Sequence, residues 1–118
     1  MVWSLATGLE GRGVIVTGAT GGIGREVTKA FATAGAKVMA GDLLAPDCEQ
    51  LVDEIDGSGH TFRAFDLSEV SGHEDLIAAA QQSLGEVYAL VHLVAVLRRQ
   101  PQLADVTERY WDLQVDTT

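Results

Sequence analysis

A chain of 118 residues fits a single domain, and its 47% apolar and 21% charged residues are those of a globular protein rather than a disordered one. The formal net charge of −9 leaves no basic stripe to neutralise phosphates, which argues against nucleic acid as a partner. The longest apolar run, residues 88–97, is too short to cross a membrane as a helix, and the lone Cys48 excludes an intrachain disulfide and fits a reducing cytoplasm.

Residues 1–8 carry no basic stretch followed by an apolar core, so they do not read as a secretory signal. Residues 13–17 (GVIVT) form a β-branched run that ends directly in glycines and read as a buried strand. Ile23, Val27, Ala30, Phe31 and Ala34 then recur at helical spacing, and Gly35 stands where a helix end favours a positive φ. A second strand is predicted over 36–40, closed by Gly41 and Asp42. Pro46 suits the first turn of the next helix, which would bury Cys48, Leu51, Val52 and Ile55, and the Gly57-Ser58-Gly59 run ends it. A third strand is predicted over 61–65, ending at Asp66. Ser71 with Glu74 reads as a capping box for a helix that carries Ile77, Ala80 and Leu84 and stops at Gly85. A fourth, almost wholly apolar strand is predicted over 87–96, and another helix begins near Thr107.

The order β-α-β-α-β-α-β-α, with strands apolar throughout, predicts an α/β fold in three layers. A parallel sheet would be covered by helices on both faces, with right-handed crossovers. Two prolines, no low-complexity run and no internal repeat leave residues 1–118 as one domain.

The chemistry is concentrated between the first strand and the first helix, in Thr17-Gly18-Ala19-Thr20-Gly21-Gly22-Ile23-Gly24. Gly18 can turn the chain out of the strand, Gly22 lets backbone approach a pyrophosphate, and Gly24 lets the helix pack on the sheet. The phosphate charge would then meet the unpaired N–H groups of a helix N-terminus, with Thr17 and Thr20 adding hydroxyl contacts. A glycine motif alone is weak, but this one has a strand before it, a helix after it and an acidic residue closing the next strand. Four glycines in seven residues exceed what a plain turn needs. Asp42, 24 positions after Gly18, falls where a carboxylate can accept hydrogen bonds from the adenosine ribose hydroxyls and repel a 2′-phosphate. The pattern therefore points to a dinucleotide, with NAD preferred over NADP. The bland alternative for Asp42 is a helix cap or turn residue.

The pattern Thr-Gly-x-x-x-Gly-x-Gly over residues 17–24, led in by Leu9-Glu10-Gly11-Arg12-Gly13-Val14-Ile15-Val16, resembles the short-chain dehydrogenase/reductase family, and the resemblance runs from Leu9 to Thr118. It implies a Rossmann-type sheet of order 3-2-1-4, cut before strand five, and a nicotinamide cofactor held at Gly18, Thr20, Gly22, Ile23, Gly24 and Asp42. Where NADP-using relatives tend to place a basic residue, this chain has Gly21 and Leu43, which again implies NAD. It also implies that Asp66 meets the adenine amino group, that the Leu67 N–H meets the ring, and that Val94 and Ala95 pass beside the cofactor ribose. The family commonly ends strand four with Asn-Asn-Ala-Gly, whereas His92-Leu93-Val94-Ala95 is nearer the His-Leu-Ala-Ala form of its extended, epimerase-like branch. His92 reads as a hydrogen-bonded strand residue, and His60 and His73 as loop and helix-start residues. No cluster has metal-ligand spacing, so no metal is expected. Arg98 and Arg99 are either solvated loop charges or contacts for an anionic substrate, and Trp111 resembles a packing tryptophan of the family.

The resemblance also implies hydride transfer assisted by a serine and by Tyr-x-x-x-Lys. Neither Lys29 nor Lys37 lies four residues after a tyrosine, and Thr118 stands where the family's helix asparagine is expected. No catalytic residue is therefore assigned, and the chain alone is expected to be inactive. Without a fifth strand the apolar edge of strand four would be unpaired, so self-association or marginal stability is expected. Three readings follow. The first is the NAD-binding part of an oxidoreductase acting on an alcohol or carbonyl compound. The second is a non-catalytic nucleotide-binding or regulatory module ending at Thr118, and the third an extended-type sugar-nucleotide epimerase- or dehydratase-like protein. An end that cuts a helical pattern favours the first.

Overall fold

The structure, a computed structural model, describes residues 7–94, 107–109 and 111–112. Seven elements follow in the order β1 (Gly13–Thr17), α1 (Gly22–Thr33), β2 (Lys37–Asp42), α2 (Ala45–Glu54), β3 (Thr61–Ala64), α3 (Val70–Leu84) and β4 (Val87–His92). The strands form one parallel sheet of order β3-β2-β1-β4, with β1 between β2 and β4. The chain steps outward from β1 to β3 and then returns to the other side of β1. The strand order thus reverses between β1 and β4, the place where open α/β sheets form a ligand crevice at their C-terminal ends.

Alternation along β1 and β2 divides the core between two sheet faces. Val14, Val16, Val38 and Ala40 pack with Ala32 of α1, Leu51 of α2 and Ile55 just after it. Ile15 and Met39 face the opposite way, against Leu76, Ala80 and Leu84 of α3. All five residues of β1 are buried, so the strand that leads into the glycine loop is the best-covered element of the sheet. The predicted end of α1 forms in full. Gly35 (φ +94°) donates to the Ala32 carbonyl and Ala36 to the Phe31 carbonyl, the two bonds of a Schellman cap.

Four expectations need correction. β4 ends at His92 rather than running through 87–96, and its burial alternates instead of being complete on both faces. Tyr88 and Leu90 are 53% and 54% exposed, because α3 covers Ile15 and Met39 but does not reach across to Leu90. The Ser71–Glu74 capping box does not form: α3 begins at Val70, so Ser71 lies inside the helix, and no side chain caps its first turn. The buried face of α3 is Leu76, Ala80 and Leu84, with Ile77 rotated outward. Gly72 lets α3 approach β3 closely, since a Cβ there would lie 3.0 Å from the Phe65 ring. Trp111, expected to pack, is 64% exposed within a helical turn in which its N–H donates to the Thr107 carbonyl. Smaller differences are at strand ends: β2 runs on through Asp42, and β3 stops at Ala64.

His60 has a structural role that its loop position did not reveal. The β2–β3 ladder begins only at Met39 and Thr61, and the Val38 N–H just before it donates to His60 Nδ1 at 3.0 Å. The ring in turn donates from Nε2 to the Asp56 carbonyl at 2.6 Å, which fixes the Nε2–H tautomer. A side chain thus extends the ladder by one bond.

Candidate functional site

The segment after β1 is shaped by hydrogen bonds to the end of β2. Gly18 N–H and Ala19 N–H both donate to the Gly41 carbonyl (2.9 and 3.3 Å), and Gly21 N–H closes a turn onto Gly18. Gly18 has φ +73°, and a Cβ there would lie 2.9 Å from the Leu93 carbonyl and 3.1 Å from a Val94 methyl. The chain leaving β4 therefore crosses directly over Gly18, which places Val94 beside the loop. Leu93 N–H donates to the Thr17 carbonyl at 3.0 Å and carries the β1–β4 ladder to this point. A Cβ on Gly24 would overlap the Gly18 carbonyl, whereas one on Gly22 would meet open space. These two glycines serve different ends: Gly24 allows the helix to sit against the loop, and Gly22 leaves the approach to the loop clear.

The first turn of α1 is left with free donors. Gly21 is its N-cap with no side-chain cap bond, and the N–H groups of Gly22, Ile23 and Gly24 have no acceptor among the described residues. These groups and the helix dipole favour an anion. Beside them Asp42, half-buried, accepts three hydrogen bonds. Its Oδ2 takes the Thr20 N–H (3.0 Å) and the Thr20 hydroxyl (2.6 Å), and its Oδ1 takes the Leu43 N–H (2.8 Å). Asp42 does not cap α2, whose N-cap is Leu44. Leu43 and Ile23 are 60% and 74% exposed, so two apolar side chains flank this polar centre on the surface.

Beyond β3, Asp66 Oδ1 accepts from both the N–H and the hydroxyl of Ser68 (3.0 and 2.7 Å), and these bonds hold its carboxyl below the usual carboxylate range. Asp66 is thus a turn cap that keeps its Oδ2 open among the described residues. Leu67 is buried, its carbonyl accepts from His73 Nε2 at 2.6 Å, and its N–H donates to no described residue. His92 lies 2.8 Å from the Thr17 hydroxyl through Nδ1, a strand-end contact of the kind expected. Cys48 is fully buried beneath Asp42; burial first, and then the Asp42 charge, push its thiol up to about 11. The structure brings together Gly18, Thr20, Gly22, Ile23, Gly24, Asp42, Leu43 and Val94 around one loop, and sets Asp66 and Leu67 at the end of the outer strand. Ala95, Arg98, Arg99 and Thr118 lie outside the described residues. Sequence reading missed the Thr20–Asp42 contact, whose partners are 22 residues apart.

The sequence and the fold have counterparts in known proteins. The family model for short chain dehydrogenases matches residues 12–118, and the chain belongs to that family. A short chain dehydrogenase of Pseudocercospora fijiensis is 39% identical over 95 residues, covering 79% of this chain and 31% of the relative. D-threitol dehydrogenase of Mycolicibacterium smegmatis is 33% identical over 109 residues, covering 88% of this chain and 40% of the relative. Among solved structures, a candidate short-chain alcohol dehydrogenase from Sinorhizobium meliloti superposes with TM-score 0.84 at 32% identity, over 92% of this chain and 44% of that one. The chain spans less than half the length of each of these proteins. No helix among the described residues is long and apolar enough to cross a membrane.

Proposed function

We propose that this chain is the cofactor-binding domain, residues 1–118, of an oxidoreductase that uses NAD in preference to NADP and acts on a small alcohol or carbonyl compound. The observation that carries the reading is the uncapped first turn of α1: three N–H groups without an acceptor among the described residues lie beside a glycine loop with room for a pyrophosphate at Gly22. A bound nicotinamide would supply the hydride chemistry. Gly22, Ile23 and Gly24 would donate to the pyrophosphate, Gly18 and Gly24 would let backbone come close, and Thr20 and Asp42 would line the ribose end. Leu43, Val94 and Ala95 would border the cofactor, and Asp66 and Leu67 would meet the adenine edge. Asp42 supports NAD, because a 2′-phosphate would bring negative charge against a carboxylate already held in place. The dehydrogenases among the relatives favour this reading over a non-catalytic module or an epimerase-like protein.

No Tyr-x-x-x-Lys pair occurs in these 118 residues, so the chain by itself should bind cofactor without turning over substrate. A free, buried Cys48 suits the cytoplasm. The exposed Tyr88 and Leu90 on β4 support self-association of this chain, which sedimentation across a concentration series would reveal. The cofactor reading is tested by calorimetric titration with NAD and NADP. NAD should bind more tightly, and Asp42→Ala should narrow the gap by at least ~1.4 kcal/mol, a tenfold ratio. Equal affinity of the unmutated protein for both would overturn the assignment of Asp42.

A further inference from the structure

The carboxylate on which the NAD preference rests is already engaged by its own chain. A carboxylate offers about four acceptor positions. In Asp42 both positions of Oδ2 are taken by Thr20, and one of Oδ1 by the Leu43 N–H. About one position, on Oδ1, is left for a ribose hydroxyl. The two oxygens are therefore unequal: Oδ2 belongs to the glycine loop and Oδ1 keeps the remaining capacity.

The Thr20 hydroxyl makes the shortest of these bonds, 2.6 Å, within the range of a strong, charge-assisted O–H···O⁻ contact. The Thr20 backbone is itself fixed, because Gly18 and Ala19 donate to Gly41 and Gly21 donates to Gly18 on either side of it. A donor mounted on a rigid loop restrains the carboxylate it holds. Resting on the NAD reading above, we propose that Thr20 is a specificity-determining positioning residue. Its hydroxyl pins Asp42, so that the ribose diol of NAD meets a fixed acceptor and the 2′-phosphate of NADP meets a charge that cannot turn away. This differs from the hydroxyl contact to cofactor expected from the motif, since here the hydroxyl is committed to Asp42.

Thr20→Val tests this, because it removes the hydroxyl, keeps the shape and leaves the backbone N–H on Asp42. NAD and NADP affinities are measured by calorimetry on the full-length protein, with thermal unfolding as a check on folding. The ratio of NAD to NADP affinity should fall at least threefold, and Thr20→Ser should restore it. In an Asp42→Ala background Thr20→Val should leave the ratio unchanged. An unaltered ratio in the single variant would overturn the proposal, as would tighter NAD binding, which would mean that Thr20 competes with the ribose. So would an equal effect in the Asp42→Ala background. A parent protein without NAD preference sinks the underlying reading, and this inference with it. A parent that prefers NAD whatever stands at position 20 sinks this inference alone.

Discussion

The two ends of the sheet differ in the hydrogen-bonding capacity they leave for a ligand. At the N-terminal end of the strands a cleft of about 280 Å³ is lined by Glu10, Arg12, Gly13, Leu84, Glu86 and Tyr88. Its one cation among the described residues is engaged: Arg12 donates from Nε to the Gly8 carbonyl at 2.9 Å and lies 4.2 Å over the Tyr88 ring. At the C-terminal end the glycine loop holds three backbone donors without acceptors among the described residues and a carboxylate set beside them. A cleft whose arginine is already engaged marks one end, and unmet hydrogen-bonding capacity marks the other. In a sheet whose strand order reverses between β1 and β4, the second is the better guide to where a charged ligand goes.

The contrast breaks most sharply at Gly24. Gly24→Ala forces α1 away from the Gly18 carbonyl, and NAD affinity should fall at least hundredfold, ~2.7 kcal/mol, in a direct binding titration. Beneath Asp42, Cys48 couples the same end of the sheet to alkaline pH. Its thiol is raised from 9.0 to about 11 in the fold, so above pH 9 the unfolded chain loses this proton first. The stability that this provides is complete below pH 9 and lost as the pH rises to about 11, roughly 2–3 kcal/mol for a shift of about two units. Cys48→Ala should remove that part of the alkaline loss in urea titrations, and in the native protein Cys48 should resist thiol reagents at pH 8. On β2, His60→Ala leaves the buried Val38 N–H without its acceptor and should cost about 1–2 kcal/mol in chemical unfolding, with NAD affinity unchanged. The smallest effect belongs to the other end: Arg12→Ala removes a ring contact worth about 0.5–1 kcal/mol and should leave NAD affinity within about twofold.

Much of this was legible in the sequence where a local rule and the tertiary fold agree. β1, α1 and its glycine end, and the buried Cys48–Leu51 face of α2 follow from β-branched runs, helical spacing and the positions of Gly35 and Pro46. Gly18 and Gly24 were readable because each meets a constraint that only a missing Cβ satisfies. The rest depended on what packs where. β1 and β4 are both apolar in sequence, but β1 lies between helices on both faces, and Leu90 of β4 has no comparable cover. Leu76 and Ile77 are adjacent and both strongly apolar, so which of them faces the sheet is settled by the packing of α3 on Ile15 and Met39 and not by composition. Thr20 and His60 find partners through strand register, in contacts to Asp42 and Val38 that spacing does not encode.

The most direct test of the account is amide NMR of the protein titrated with NAD. The largest shifts should fall on the N–H groups of Gly22, Ile23 and Gly24, with further shifts at Asp42, Leu43 and Leu67. Gly8, Gly11 and Gly13, at the Arg12 cleft, should stay still. Shifts concentrated at that cleft, or a glycine loop unmoved at saturating NAD, would contradict the placement of the dinucleotide on α1.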